Sequence, residues 1–122
     1  MKNSDIERIG IDIVKKYETA AGRTIHERVQ KCGYDLKSCS DDGVDERHIE
    51  IKTTAKAAFS SRWLEQLEQD RLEADGKFYM YLVVNCGTGN EKVSVLNGDS
   101  LKKRFTRVVK HYYYNLSDLR FE

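Results

Sequence analysis

The feature that most constrains the fold is a run of eight residues, 78–85, that is apolar or aromatic up to its last residue, Asn85. Asp75-Gly76 precedes the run, and glycines at 87 and 89 follow it. A strand without polar alternation must be covered on both of its faces. The run therefore predicts a buried central strand, with helices packed on both sides of its sheet.

Apolar spacing of three and four residues predicts two helices. The first spans residues 5–21, with Ser4 as its N-cap and Gly22 as its stop. The second spans residues 61–74 and ends before Asp75-Gly76. A third, short helix is expected over residues 99–105.

Strand-like segments are predicted at residues 34–38 and 47–54, on either side of a turn at 40–45 that is rich in Asp, Ser and Gly. These two strands should form a β-hairpin. A further strand is expected at 92–96, and a late one near residues 112–114. Residues 23–32 fit either a strand at the edge of the sheet or an irregular approach.

The order of these elements predicts an α/β fold with a mixed β-sheet flanked by helices. A chain of 122 residues has the length of one ordinary domain, so residues 1–122 are interpreted as a single domain. A hydrophobic content of 39% is enough for one core. No apolar run approaches the roughly 20 residues of a membrane span, and the N-terminus lacks a signal-peptide pattern. We expect a soluble, cytoplasmic protein.

The charge is balanced, with a formal net value of +1 although 34% of the residues are charged. Any surface that binds nucleic acid must therefore be a local patch. The cysteines Cys32, Cys39 and Cys86 form no disulfide framework. Their spacing, also with His26 and His48, matches no usual zinc pattern.

Three residues make a candidate catalytic set: Asp35 near the start of one hairpin strand, and Glu50 and Lys52 in the other. Side chains two apart in a strand point to the same face. Glu50 and Lys52 should thus lie side by side while Ile49 and Ile51 enter the core. A pair of this kind also arises by chance on a solvated surface, which is the simplest alternative.

Phosphodiester hydrolysis is the chemistry that this set suits. Mg²⁺ prefers hard oxygen ligands and uses one or two carboxylates, which Asp35 and Glu50 would supply, with the Ile51 carbonyl as a third oxygen. Lys52 would position the attacking water or offset charge at the phosphate. Thr53 and Thr54 would donate hydrogen bonds nearby. Glu18, near the end of the first helix, is a possible third acid.

Asp35 followed by Glu50-Ile51-Lys52 resembles the PD-(D/E)XK nuclease signature, with Tyr34 in place of its opening proline. A longer match, over about residues 10–96, is similar to the protein NO VEIN C-terminal domain family, which belongs to that superfamily. The stretches that carry it are Tyr17-Glu18, Gly22-Arg23, Gly33-Tyr34-Asp35-Leu36-Lys37-Ser38 and Arg47-His48-Ile49-Glu50-Ile51-Lys52-Thr53-Thr54.

The resemblance implies a restriction-endonuclease-like α/β core and Mg²⁺-dependent cleavage of nucleic acid, with Mn²⁺ able to substitute. It implies that Asp35 and Glu50 are metal ligands and that Lys52 is the catalytic lysine. Glu18 matches the helix acid of some branches of the superfamily and would join both sets.

Basic residues suggest where phosphates would bind. Arg23, Arg28, Lys31 and Lys37 precede or lie within the hairpin, although a solvated charged face explains them as well. The densest basic stretch, Lys102-Lys103-Arg104 with Arg107 and Lys110, stands before three tyrosines at 112–114. It is either a backbone-binding patch with stacking aromatics or part of the sheet.

The leading hypothesis is a metal-dependent nuclease acting on nucleic acid, with DNA favoured over RNA, in defence, repair or a mobile element. A homodimer is expected if the substrate is duplex, because cutting both strands needs two sites. The alternative is an inactive module of the same fold that binds nucleic acid or a protein partner. A third option is a mobile-element factor that acts on a host nuclease.

Overall fold

The computed structural model describes residues 1–27, 34–59 and 66–103 of the chain. The N-terminal half contributes one helix and three strands: α1 (Asn3–Ala20), β1 (Thr24–Glu27), β2 (Leu36–Cys39) and β3 (Glu46–Thr53). The C-terminal half contributes a helix and two strands: α2 (Gln66–Ala74), β4 (Phe78–Val84) and β5 (Lys92–Asn97). Residues 98–103 are again helical.

The five strands form one sheet in the order β1-β2-β3-β4-β5. Neighbouring strands are antiparallel except for β3 and β4, which are parallel. A parallel pair needs a crossover connection, and α2 lies in the segment that joins β3 to β4. The sheet is therefore mixed and flanked by helices, which confirms the predicted α/β class and the hairpin of β2 and β3.

Strand β4 is buried on both faces, as its composition predicted. Tyr81 and Val83 belong to a core cluster with Val14 of α1, while Phe78 and Met80 belong to a second cluster on the other face. The first cluster also contains Leu36, Ile49, Ile51 and Cys86. The second also contains Leu72 of α2 and Leu101.

The start of α1 differs from the prediction. The helix begins at Asn3 and not near Asp5, and its N-cap is Lys2, which makes no side-chain capping bond. The Lys2 carbonyl accepts the N–H bonds of Asp5 and Ile6, so helical bonding begins before Ser4 can act as a cap. At the other end the helix stops at Ala20, and Gly22 adopts a positive φ of 80°, as its predicted role requires.

Several predicted elements lie partly or wholly outside the described residues. The ambiguous segment 23–32 contains β1, a short edge strand, up to residue 27. The beginning of the second predicted helix, residues 61–65, and the late strand near 112–114 lie outside the described residues. Within the described ranges, no helix is long and apolar enough to cross a membrane.

A glycine brings α1 close to the end of β3. A Cβ built on Gly10 would lie 2.0 Å from Thr53 Cγ2. Only a residue without a side chain permits this approach. The N-terminal part of α1 is thereby placed beside the residues that follow Lys52.

Candidate active site

Glu50 and Lys52 share one face of β3, as the period of the strand requires. Lys52 Nζ lies 3.4 Å from Glu50 Oε2, and their side chains are only 18% and 15% exposed, respectively. Ile49 and Ile51 point to the opposite face, into the cluster beneath α1. An acid and a lysine are therefore held together at the surface of a well-packed strand.

Asp35 lies directly before β2 and reaches the neighbouring strand. Its N–H donates to the Ile49 carbonyl, and its Oδ2 accepts the Ile51 N–H, both at 2.8 Å. The regular pairing of β2 with β3 ends at Leu36 and Ile49, so the carboxylate takes the place of the next ladder acceptor. The N–H and C=O of one strand residue point to the same side. The Ile51 carbonyl consequently faces the side on which Asp35 lies.

These residues open onto a cleft of about 550 Å³. The cleft is formed by the end of β3, the segment after it and the first turns of α1. Its lining residues are Asn3, Ile6, Glu7, Asp35, Glu50, Ile51, Lys52, Thr53, Thr54, Ala55 and Lys56. The structure thus brings together six of the predicted site residues: Asp35, Glu50, Ile51, Lys52, Thr53 and Thr54.

The electrostatics of the cleft centre on Glu50. Burial, followed by the negative charge of Asp35, raises the pKa of Glu50 to about 8, against the opposing effect of Lys52. A hydrogen bond and the charge of Glu68 act in the same direction as burial. Without a cation, the site therefore keeps a proton on Glu50 near neutral pH.

Lys52 is held from two sides. Besides Glu50, its ammonium contacts Glu68 Oε2 of α2, and Glu68 is buried, with 5% exposure. Burial lowers the pKa of Lys52, but the hydrogen bond and charge of Glu68 and the charge of Glu50 outweigh burial and raise it. The lysine is thus a cation fixed between two acids.

Tyr34 directly precedes Asp35, and the structure holds it by stacking. Its ring lies 4.6 Å from the His48 ring at an angle of 5°, and the Arg71 guanidinium lies 5.6 Å from the Tyr34 ring centre. His48 in turn contacts Asp75 Oδ2 at 2.5 Å and Glu46 Oε2 at 2.6 Å. This arrangement fixes the residue before Asp35.

Glu18 is not brought to the other three residues. It is fully buried, and its Oε1 accepts a hydrogen bond from Ser38 Oγ at 2.9 Å and lies 3.3 Å from Arg23 Nε. Arg47 Nη1 lies 3.8 Å from the same oxygen. These contacts lie on the α1 side of the sheet, whereas Glu50 lies on the α2 side. Along the helix, Glu18 is about 16 Å from the turn that lines the cleft.

The predicted phosphate-binding residues that precede residue 60 are distributed over three places. Thr53 and Thr54 line the cleft. Arg23 is committed to internal contacts with Glu18, Ser38 and Asp45, and its side chain is only 8% exposed. Lys37 is half-exposed and lies 3.9 Å from Glu46.

The basic stretch after β5 is described only in part. Lys102 and Lys103 are exposed in the helical segment 98–103, whose Leu101 packs into the second core cluster. Arg104 lies outside the described residues, as do Arg28, Lys31, Arg107 and Lys110. Of this stretch, the two described residues Lys102 and Lys103 do not line the cleft.

Sequence reasoning missed four polar residues at or beside the site. Asn3, Glu7 and Lys56 line the cleft, and Glu68 contacts Lys52. Glu7 carried no usable signal, because α1 bears an acid near each end and the sequence does not say which end faces the cleft. Glu68 carried none, because its contact depends on how α2 crosses the sheet.

The donor set fits a hard divalent cation. Two adjacent carboxylates, one with its pKa raised by the other, form a site that a cation would stabilise, and the Ile51 carbonyl adds a neutral oxygen. Among the described residues, no group of three or more His, Cys, Asp or Glu side chains is arranged to hold a metal ion. A cation here would keep several waters, as Mg²⁺ does.

Fold and site together define an α/β protein with an acid, acid and lysine cleft at the end of a β-hairpin. The sequence model of the family described as "Protein NO VEIN, C-terminal" matches residues 6–96, and the chain belongs to this family. Comparison with curated proteins gave no match, and comparison with solved structures gave none either.

Proposed function

We propose that this protein is a metal-dependent nuclease that hydrolyses phosphodiester bonds, with DNA favoured over RNA. The observation that carries the proposal is the convergence of Asp35, Glu50 and Lys52 on one cleft. Two acids and a lysine at the end of a hairpin also match the PD-(D/E)XK signature. We therefore propose that the α1, hairpin and β4 framework is a restriction-endonuclease-like core.

Asp35 and Glu50 would hold Mg²⁺, with the Ile51 carbonyl as a further ligand and Mn²⁺ as a substitute. When bound, the cation would act as a Lewis acid at the scissile phosphate and lower the pKa of a bound water. Binding would compete with the proton on Glu50, because a carboxylate must be deprotonated to act as a ligand.

The other residues of the cleft would bind and orient the substrate. The Lys52 ammonium is a compact charge that offsets the negative charge growing on the phosphate oxygens. Thr53, Thr54 and Lys56 also line the cleft and would bind the phosphates of the strand. Such contacts position nucleic acid without reading its sequence.

The proposed setting is intracellular, in defence, repair or a mobile element, and the free thiols of Cys39 and Cys86 fit a reducing compartment. Cleavage of a duplex would require a two-fold dimer, because each strand needs its own site.

The test is cleavage of single- and double-stranded DNA and RNA with Mg²⁺, with Mn²⁺ and with a chelator. We expect metal-dependent cleavage that Asp35→Asn and Glu50→Gln each abolish. Glu73→Gln is a matched control, because Glu73 is an exposed acid of α2 outside the lining of the cleft. Cleavage that persists when Asp35→Asn and Glu50→Gln are combined, or no cleavage of any substrate, would refute the proposal.

The second candidate is an inactive module of the same fold that binds nucleic acid or a protein partner. It is favoured by the lack of a three-ligand metal cluster among the described residues. Calorimetry with Mg²⁺ and Mn²⁺ separates the two candidates. The nuclease should bind the cation through Asp35 and Glu50. The inactive module should bind no cation at this site and should bind its nucleic acid or protein partner without one.

A further inference from the structure

Glu68 is a buried acid beside the cleft that the proposed chemistry does not use. It comes from α2, on a different element from the hairpin, and its Oε2 contacts Lys52 Nζ. It also shares a hydrogen bond with Glu50. Lys52 and Glu50 line the cleft, but Glu68 does not, so these two contacts connect Glu68 to the cleft.

The lysine needs such a partner in order to be held in one place. A lysine side chain has a flexible stem of four carbons and carries about 2 kcal/mol of rotamer entropy. Glu50, on the same strand as Lys52, lies 3.4 Å from Nζ. Glu68 contacts Nζ from the helix above the sheet, so two elements together fix the ammonium beside Glu50.

Packing alone does not explain an acid at this position. Replacing a buried ion pair by apolar residues of similar volume is often neutral or stabilising. Glu68 has 5% exposure, and the face around it already has an apolar core of Leu72, Phe78 and Met80. A charged residue here is better explained by what it does to Lys52.

We infer that Glu68 is a positioning residue that holds the Lys52 ammonium beside Glu50 and keeps it aimed into the cleft. The inference rests on the proposed nuclease function and adds a residue of α2 to its machinery. Glu68 touches neither phosphate nor metal in this role. In this role its effect on cleavage passes through its contact with Lys52 and not through its hydrogen bond with Glu50.

The kinetic test is a double-mutant cycle of Glu68→Gln and Lys52→Met on kcat and KM for the DNA that the wild type cleaves. Glutamine keeps the length of the side chain and removes its charge. We expect Glu68→Gln to lower kcat by about 10- to 100-fold, the usual effect of losing a supporting group, and to change KM by less than about twofold. In the Lys52→Met background it should have no further effect.

A structural readout, independent of cleavage, follows the lysine itself. In protein methylated with ¹³C at its lysines, the Lys52 signal is assigned from its loss in Lys52→Met. Without metal, we expect Glu68→Gln to shift this signal toward those of exposed lysines, whereas Glu73→Gln should leave it in place. The melting temperature of each variant shows that it is folded.

The possible results are distinct. If the wild type cleaves nothing, the proposed nuclease function fails, and the Lys52 signal alone decides whether Glu68 holds the lysine. If cleavage occurs, an unchanged kcat in Glu68→Gln overturns the inference. So does an equal loss of kcat in the presence and absence of Lys52, because Glu68 would then act by another route.

Discussion

The carboxylate of Asp35 accepts a hydrogen bond from the backbone N–H of Ile51, at 2.8 Å. A side chain thus replaces the ladder acceptor at the point where the regular pairing of β2 and β3 ends. The same bond brings Asp35 to Glu50, since Glu50 directly precedes Ile51. Strand geometry and the spacing of the two acids are therefore set by one contact.

Asp35 should separate stability from activity. Asp35→Asn keeps an oxygen acceptor for Ile51 and removes the charge, so we expect the free energy of unfolding to change by less than about 1 kcal/mol. Asp35→Ala also loses the bond and should cost about 1–2 kcal/mol. Both should abolish metal-dependent cleavage. Urea unfolding and the nuclease assay measure the two effects, and equal stability of the two variants would contradict the role of the bond.

Glu50 should make the protein less stable as pH rises. Its pKa is about 8 in the folded chain, against an ordinary value of 4.5. Between these values the folded state holds a proton that the unfolded state has lost, so the free energy of unfolding falls as pH increases through this window. Glu50→Gln removes the effect. As the pH rises from 5 to 8.5, we expect the free energy of unfolding of the wild type to fall by at least about 1 kcal/mol relative to that of Glu50→Gln.

Thermal unfolding in metal-free buffer at both pH values measures this difference, with Glu73→Gln as the control for the loss of one carboxylate. Parallel stability curves for wild type and Glu50→Gln would show that Glu50 titrates normally. Added Mg²⁺ should raise the stability of the wild type more than that of the variant, because only the wild type has both ligands.

Gly10 should tolerate no side chain while Thr53 is present. A Cβ at Gly10 would lie 2.0 Å from Thr53 Cγ2, and overpacking of this kind costs about 1–3 kcal/mol. This cost should outweigh the roughly 1 kcal/mol by which alanine stabilises a helix relative to glycine. Urea unfolding of Gly10→Ala should show a net loss, and Gly10→Ala with Thr53→Ser should recover it, because serine lacks Cγ2. No recovery would place the strain elsewhere.

Glu18 should matter for stability and not for metal binding. It lies among Arg23, Ser38 and Arg47, and removing one charge from a buried ion pair costs about 3–5 kcal/mol. We expect Glu18→Gln to lose somewhat less, about 2–4 kcal/mol, because the amide oxygen still accepts from Ser38. Calorimetry should give an unchanged affinity for Mg²⁺. A large drop in that affinity would return Glu18 to the metal site.

The local part of the candidate site could be predicted from sequence. Glu50 and Lys52 share a face because strand periodicity fixes it, and Asp35 joins them because a hairpin pairs nearby segments. The isoleucines at 49 and 51 identify the buried face in the same way. Each of these relationships depends on residues fewer than twenty positions apart.

The remaining features depend on the packing of distant elements. Glu18 and Glu7 are both acids of α1, and sequence spacing alone does not say which end of a helix meets the cleft. That choice is made by the contact of Gly10 with Thr53. The position of Glu68 depends on the crossover from β3 to β4, a connection whose path is set by the tertiary fold.

The hairpin of β2 and β3 has a consequence for how this protein can be lengthened. Asp35 lies at its open end, whereas the turn at residues 40–45 lies at the other. Asp45 in this turn bonds to Arg23, but Asp42 and Gly43 are exposed. Between those two residues we expect the chain to accept an inserted recognition loop or a fluorescent label, with the loss of the bonds from Gly43 N–H to the Ser40 carbonyl and from Val44 N–H to Asp42. The distance between the carboxylates would stay the same, because the strand register is set on the far side of the insertion.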